Sequence, residues 1–327
     1  MMPLSRGRQR FIQEGSRSLI IQTINLTKRY GKLVALDNLQ LNIEEGECFG
    51  YIGPNGAGKT TTIKILATLL QPTWGEARVC GHVVGYESRK IRPLIGYVPD
   101  FFGAYEDMVV QEYLEFFASA YNIAGKQRAR VVGDVLELTD LVYKRDALVD
   151  SLSRGMQQRL SIARVLLHDP KVLLLDEPAS GLDPRARIEI RELLKELRRM
   201  NKTIIISSHI LPELAELCTT VGIIEQGNLL FHGPVREVIS RAKSGTKVHI
   251  RVAEQQDLAV QLLEKTRGIK QVAQLDGQIV IELEQQTHNF NPLINLLLQN
   301  NFKIREVKEE EVNLETAFMR MTKGIVQ

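Results

Sequence analysis

The segment Gly53-Pro54-Asn55-Gly56-Ala57-Gly58-Lys59-Thr60 fits the spacing G-x-x-x-x-G-K-[ST]. Glycines at these positions let the backbone turn its N–H groups inward around a phosphate chain. The loop also opens a helix, and a helix N-terminus favours anions. Lys59 can reach the β and γ phosphates of such a chain. The Thr60 hydroxyl is suited to ligate Mg2+, and Thr61 is expected within reach of the α phosphate.

A second constellation follows the run Val172-Leu173-Leu174-Leu175, which ends in Asp176 and Glu177. Ligands of parallel sheets bind beyond the strand C-termini, so both carboxylates are expected to face the phosphate loop. Asp176 is suited to hold Mg2+ through water, and Glu177 to act as general base for an attacking water. His209 follows the next apolar run and is expected on the same rim, where it can meet the γ phosphate and orient the water. Ser153 and Gly155 open a further helix, whose N-terminus is a second anion-binding end. One subunit already has a full phosphate loop, so this second end is expected to serve another subunit's nucleotide.

These residues need rigid elements to hold them. Strand-like alternation runs through residues 19–34, breaking at Tyr30-Gly31, and again from Leu36 to Ile43. Cys48–Ile52 is a short apolar strand that feeds the glycine loop, and a helix is expected over Lys59–Leu70, stopped by Pro72. Residues 111–150 carry apolar residues at helical spacing, with Tyr113, Leu114, Phe116, Phe117 and Tyr121 expected in a core. From Gly155 onward, helices alternate with fully apolar strands at Lys171–Leu175, Thr203–Ile206 and Val221–Ile224. That pattern means a parallel sheet covered on both faces. After a polar linker at Ser240–Gly245, the order βαββαβ predicts a ferredoxin-like domain, with a hairpin turn at Asp276-Gly277 and a last helix over Leu314–Met321.

Composition narrows the class. With 327 residues, 44% hydrophobic and 25% charged, the chain is ordinary for a globular protein of about two domains. A net charge of +3 is too small to imply nucleic acid. No apolar run approaches the ~20 residues of a membrane-spanning helix. Residues 1–18 read as a disordered basic tail without the apolar core of a secretory signal. Cys48, Cys80 and Cys218 are widely spaced and form no CxxC or Cys/His cluster, so neither a metal site nor a disulfide framework is indicated and they read as reduced thiols of a cytosolic protein.

With these motifs in order, residues 19 to about 235 resemble the ATP-binding subunits of ABC transporters. In that resemblance, Gly53–Thr60 is the Walker A loop, Val172–Asp176 with Glu177 the Walker B strand, and Leu152-Ser153-Arg154-Gly155-Met156 the signature. Ser180–Asp183 is the D-loop, His209 the switch histidine, and Tyr30 the aromatic residue that stacks on adenine.

The resemblance implies an α/β fold, a P-loop NTPase of ABC type over 19–239. A helical subdomain is inserted at about 101–165, and a small C-terminal α+β domain occupies 246–327. It further implies ATP and Mg2+ as cofactors, with Lys59, Glu177 and His209 catalytic and Thr60, Asp176 and Asp100 on the metal side. Residues Gly53 to Thr61, Tyr30, Ser153, Gly155 and Asp183 would bind nucleotide. Two subunits would sandwich two ATP molecules head to tail on the cytoplasmic face of the membrane, beside a separate membrane permease and without nucleic acid.

The chain departs from the family pattern at Asp100, where a glutamine is usual, and at Arg154 and Met156 of the signature. The ending Asn313–Thr322 is similar to that of export-type systems. A soluble ATPase acting on ribosomes or DNA, and a non-hydrolysing regulatory subunit, are the alternative readings.

Overall fold

The computed structural model describes residues 18–101, 103, 107–242, 247–275, 277–283, 289–310 and 313–322. The basic tail expected over 1–18 lies outside them except for Ser18, and so does Asp276 of the expected hairpin turn.

Strands β1 (Leu19–Tyr30) and β2 (Leu33–Glu44) pair antiparallel around the turn at Gly31. They join β4 (Trp74–Val79) and β5 (His82–Val83) in a sheet of order β2-β1-β4-β5. A short helix, α2 (Ser88–Ile91), follows β5.

The second sheet holds β3 (Cys48–Ile52), β6 (Ile95–Val98), β7 (Val172–Asp176), β8 (Thr203–Ser207), β9 (Thr220–Glu225) and β10 (Asn228–Pro234). Its order is β10-β9-β3-β8-β7-β6, parallel except for the edge strand β10. The helices on its faces explain the unbroken apolar runs. Val172 and Leu174 of β7 point into one core with Ile63, Ile65 and Leu66 of α1 (Lys59–Leu66) and the antiparallel sheet. Leu173 and Leu175 point into another, with α5 (Arg154–Leu166), α6 (Pro184–Arg199) and α7 (Leu211–Leu217). Each residue of β7 is buried whichever way it faces.

Two expectations need correction. Helix α1 stops at Leu66 rather than running to Leu70, because Thr68 adopts a left-handed φ of 61° and its amide turns back to the Ile65 carbonyl. In the helical region, α3 (Val110–Ala120) and α4 (Gly125–Leu138) form as expected, with Tyr113 and Leu114 buried. Phe116 and Tyr121, expected in the core, are 50% and 39% exposed instead, because the apolar stripe is wider than the face α3 buries.

After α8 (Val235–Ala242), the tail forms β11 (Lys247–Val252), α9 (Gln256–Glu264), β12 (Ile269–Leu275), β13 (Gln278–Leu283), α10 (Asn291–Gln299) and β14 (Ile304–Glu309). The sheet order is β12-β13-β11-β14, antiparallel throughout, as the ferredoxin-like arrangement requires. Its core packs Val248, Ile250, Ile279 and Ile281 under Leu263 of α9 and Leu297 of α10. The chain then forms α11 (Leu314–Met321).

Candidate nucleotide-binding and hydrolysis site

The glycine loop leaves β3 at the C-terminal edge of the parallel sheet and enters α1. It is threaded through a narrow gap. A Cβ on Gly53 would stand 2.3 Å from the Ile224 carbonyl oxygen, and one on Gly58 would stand 2.6 Å from the Ala35 carbonyl oxygen. Gly58 also has φ 110°, which L side chains rarely adopt. The Gly227 amide, in the turn between β9 and β10, donates to the Ala57 carbonyl at 3.0 Å and pins the loop from outside.

Lys59 begins α1 and folds back over the loop. Its Nζ donates to the carbonyls of Gly53 at 2.6 Å and Pro54 at 3.1 Å, and lies 3.9 Å from Glu177 Oε1. Burial lowers its pKa from the ordinary lysine value, while the carboxylates of Glu177 and Asp176 oppose that shift. The ammonium is therefore largely dehydrated and close to negative charge. Such a group strengthens its grip on a phosphate that displaces the two carbonyls.

Asp176 ends β7 and is 1% exposed. Its Oδ1 accepts hydrogen bonds from the Ser207 hydroxyl at 2.7 Å and the Thr60 hydroxyl at 3.1 Å. Its Oδ2 is buried and has no partner. Burial raises this carboxyl's pKa, the bonds from Ser207 and Thr60 pull it down, and the charges of Asp100 and Glu177 push it up again. The Tyr97 hydroxyl shares this field. Burial, then Asp176 and Asp100, push it up to about 12.

Glu177 has an uncommon backbone for its type, with φ 51°. Its amide donates to both the carbonyl and the hydroxyl of Ser207, at 3.1 and 3.0 Å. That turn carries the carboxylate off the strand axis to where Oε2 meets His209 Nδ1 at 2.7 Å. Lys59, Thr60, Asp176, Glu177 and His209 thus form one connected cluster.

Ser207 links these groups and was not among the sequence candidates. Parallel pairing places it directly beside Asp176. The signal was present in the sequence, since Ser207 is the first polar residue after the run Thr203–Ile206.

The remaining candidates divide between the loop itself and more separate elements. Ser153 caps α5 by accepting the Met156 amide at 3.3 Å, and Asp183 caps α6 by accepting the Ala186 amide at 2.9 Å. The two helices touch where Gly155 meets Ala186, since a Cβ on Gly155 would be 2.7 Å from the Ala186 Cβ. Thus Gly155 also serves helix packing within its own chain. Among the described residues, no hydrogen bond or ion pair joins Ser153 or Asp183 to the Lys59 cluster. Tyr30 ends β1, half exposed, with the Lys28 ammonium 5.2 Å from its ring centre. Thr61 lies in the first turn of α1, and Asn55 and Gly56 are exposed at the loop tip.

Residues 36–180 match the family model described as ABC transporter. The chain is 35% identical over 309 residues to the bacitracin transport ATP-binding protein BcrA of Bacillus licheniformis, covering 94% of this chain and 98% of that protein. The chain belongs to the ABC transporter family. This ABC chain is an ATP-binding subunit and an ATPase.

The linearmycin resistance ATP-binding protein LnrL of Bacillus subtilis is 29% identical, covering 93% of this chain and 98% of that protein. A Nod factor export ATP-binding protein I of Cupriavidus metallidurans is 40% identical, over 67% of this chain and 73% of its own length.

Among solved structures, an ATP-binding subunit of an ABC transporter superposes with TM-score 0.62 at 27% identity, covering 68% of this chain and 93% of that one. A dimeric post-hydrolysis ATP-binding cassette bound to ADP and Pi superposes with TM-score 0.60 at 28% identity, covering 65% of this chain and 98% of that one. The solved cassettes are nearly exhausted before this ABC subunit is covered, whereas BcrA and LnrL run almost its full length.

Proposed function

We propose that this ABC ATPase energises an exporter whose membrane path is a separate permease chain, and that it works as a dimer closing on ATP at the cytoplasmic face of the membrane. The observation that carries the reading is the near full-length likeness to a bacitracin transport protein in a chain that holds the whole Lys59–Glu177–His209 cluster. A Nod factor export protein and a linearmycin resistance protein among the relatives support the direction. Among the described residues no helix is long and apolar enough to cross a membrane, so the path is assigned to another chain. The cassette would span 19–239, with its helical subdomain at about 101–165, and an accessory domain would span 246–327.

In this reading the loop from Gly53 to Thr61 wraps the phosphates of ATP, and Lys59 exchanges its two loop carbonyls for β- and γ-phosphate oxygens. Tyr30 stacks on adenine. Mg2+ suits the residues present, because Asp176 Oδ2 is a buried carboxylate oxygen without a partner and the Thr60 hydroxyl lies on the same carboxylate. When bound, the ion would draw charge from the β- and γ-phosphate oxygens. Among the described residues no group of three or more His, Cys, Asp or Glu side chains is arranged to hold a metal ion by itself. The ion would therefore lean on Thr60, Asp176, phosphate oxygens and water, with Asp100 beside them. Glu177 takes the proton from the attacking water as that water meets the γ phosphate in line. His209 holds the Glu177 carboxylate in position. Ser153 and Gly155 of a second subunit, with Asp183 nearby, close over the nucleotide and exclude water.

Asp100 replaces an amide with a charge in this field. Asp100→Ala should raise the Mg2+ concentration for half-maximal hydrolysis about tenfold, measured by titrating Mg2+ at saturating ATP. An unchanged Mg2+ dependence together with an unchanged rate would remove Asp100 from the metal side of the site.

The exporter reading is tested by purifying the tagged full-length chain from detergent-solubilised membranes of its host. A multi-spanning membrane protein should accompany it, and reconstitution of the pair in liposomes should raise the ATPase rate above that of the isolated chain. Recovery on ribosomes, with no membrane partner that stimulates hydrolysis, would replace this reading with the ribosomal one.

A further inference from the structure

Helix α11 follows the tail's sheet in sequence but does not pack into that sheet's core. Leu314, 1% exposed, and Ala317, 0% exposed, are buried in the same core as Leu211, Leu214 and Leu217 of α7 and Val235 and Val238 of α8. Phe318 and Met321 pack at its margin. The helix is fixed at its start by Asn313, whose side chain accepts the Thr316 amide at 2.8 Å. Near its C-terminal end, α11 carries Arg320 within electrostatic reach of the tail's sheet. Glu282 of β13 is held below the usual carboxylate range chiefly by the Lys270 hydrogen bond, with Lys247 and Arg320 of α11 adding to it. Thus α11 continues the chain from the tail's sheet and packs into the core that holds α7 and α8.

Its neighbour α7 needs such support. At seven residues, α7 is too short to be stable without tertiary contacts. It is held by α6, by β3 and by α11. Its N-cap is Ile210, whose amide donates to Ser208 Oγ at 2.9 Å and whose carbonyl accepts the Leu214 amide at 3.4 Å. His209 is the residue between Ser208 and that cap. Its side chain is 57% exposed, so surrounding packing does little to fix it. The position of its ring, 2.7 Å from Glu177 Oε2, therefore depends on where the first turn of α7 sits.

We infer that α11 is a positioning element for His209: by clamping α7 it sets the His209–Glu177 hydrogen bond, and it links the state of the tail's sheet to the ATPase site. The inference rests on the role of His209 proposed above. No residue of α11 belongs to the Lys59–Glu177–His209 cluster, so its effect falls on the geometry of the reacting groups rather than on nucleotide affinity. It also gives the tail a means of altering turnover without reaching the nucleotide.

The test uses the full-length chain with Leu314→Ala, the conservative Leu314→Met, His209→Ala, and the double variant Leu314→Ala/His209→Ala. Leu314→Ala should lower kcat about tenfold while KM for ATP changes less than about twofold, and Leu314→Met should restore most of the rate. The His209 Nδ1 resonance in a 15N-histidine NMR spectrum should lose its hydrogen-bonded shift in Leu314→Ala and keep it in Leu314→Met. In the His209→Ala background, Leu314→Ala should cost nothing further. Should Leu314→Ala fail to fold, Phe318→Ala at the margin of the contact carries the same expectations.

An unchanged kcat in a folded α11 variant overturns the inference. So does a loss of the same size with and without His209, which would mean general loosening of the core. If His209→Ala alone leaves turnover intact, the role of His209 is what fails, and α11 then has no group to position.

Discussion

Glu177→Gln should reduce ATP turnover by about 10²–10⁴-fold, the range general-base catalysis contributes, while leaving ATP binding in place. The geometry makes this substitution selective. Glutamine keeps the size of the side chain, and its carbonyl oxygen still accepts the His209 Nδ1–H. The Glu177 amide bonds to Ser207 and the φ of 51° are backbone properties that the change does not touch. What disappears is the carboxylate that balances Lys59 at 3.9 Å and that is proposed to accept the water's proton.

The variant should therefore hold unhydrolysed ATP, measured by filter retention of labelled ATP and by the fraction of dimer on size exclusion with ATP present. Turnover close to that of the unaltered chain would mean that the water gives its proton elsewhere. Glu177→Asp provides an internal contrast. It keeps the charge but shortens the reach to His209, so it should lie between the two.

Part of this arrangement was legible in the sequence for a definable physical reason. Strands buried on both faces leave unbroken apolar runs, so β3, β7 and β8 announced themselves, together with the polar residues at their ends. Strands at the margins did not. In β4 both Trp74 and Gly75 are exposed, and only Ala77 and Val79 are buried, too few positions for an alternation to stand out. Strand β10 has a single buried residue, Phe231. The apolar face of α11 was equally readable, as Leu314, Ala317 and Phe318 at helical spacing. Periodicity says that a face is buried, however, and not against what. A partner such as α7, about a hundred residues earlier in the chain, is fixed by tertiary packing. Ser207 shows the same limit in the site itself, since only the parallel register of β7 and β8 makes it the residue that bridges Asp176 and Glu177.

Asp176 carries the second large effect, and its sign differs between activity and stability. Asp176→Asn should lower ATPase activity at least about 100-fold, because an amide is a poor substitute for an anionic group beside Mg2+ and the phosphates. The same change should stabilise the nucleotide-free chain, raising its Tm by about 2–4 °C.

The reason is the environment of the carboxylate. It is buried, one of its oxygens is unpartnered, and Asp100 and Glu177 add negative charge around it. Burial raises its folded-state pKa above the unfolded value, so the folded chain binds the extra proton between those two values. Stability of the nucleotide-free chain therefore falls as pH rises through that window. Asp176→Asn has no such proton to lose, so its Tm should lack this contribution to the pH slope, and the gap between the two proteins should widen from acid to neutral pH. Calorimetry across that range without nucleotide, then with ATP and Mg2+, separates the two roles. A cation at Oδ2 should favour the unaltered chain and close or reverse the gap. If Asp176→Asn lost stability and activity together without nucleotide, the bonds from Thr60 and Ser207 would outweigh the cost of the buried charge, and Asp176 would be a structural anchor before it is a metal ligand.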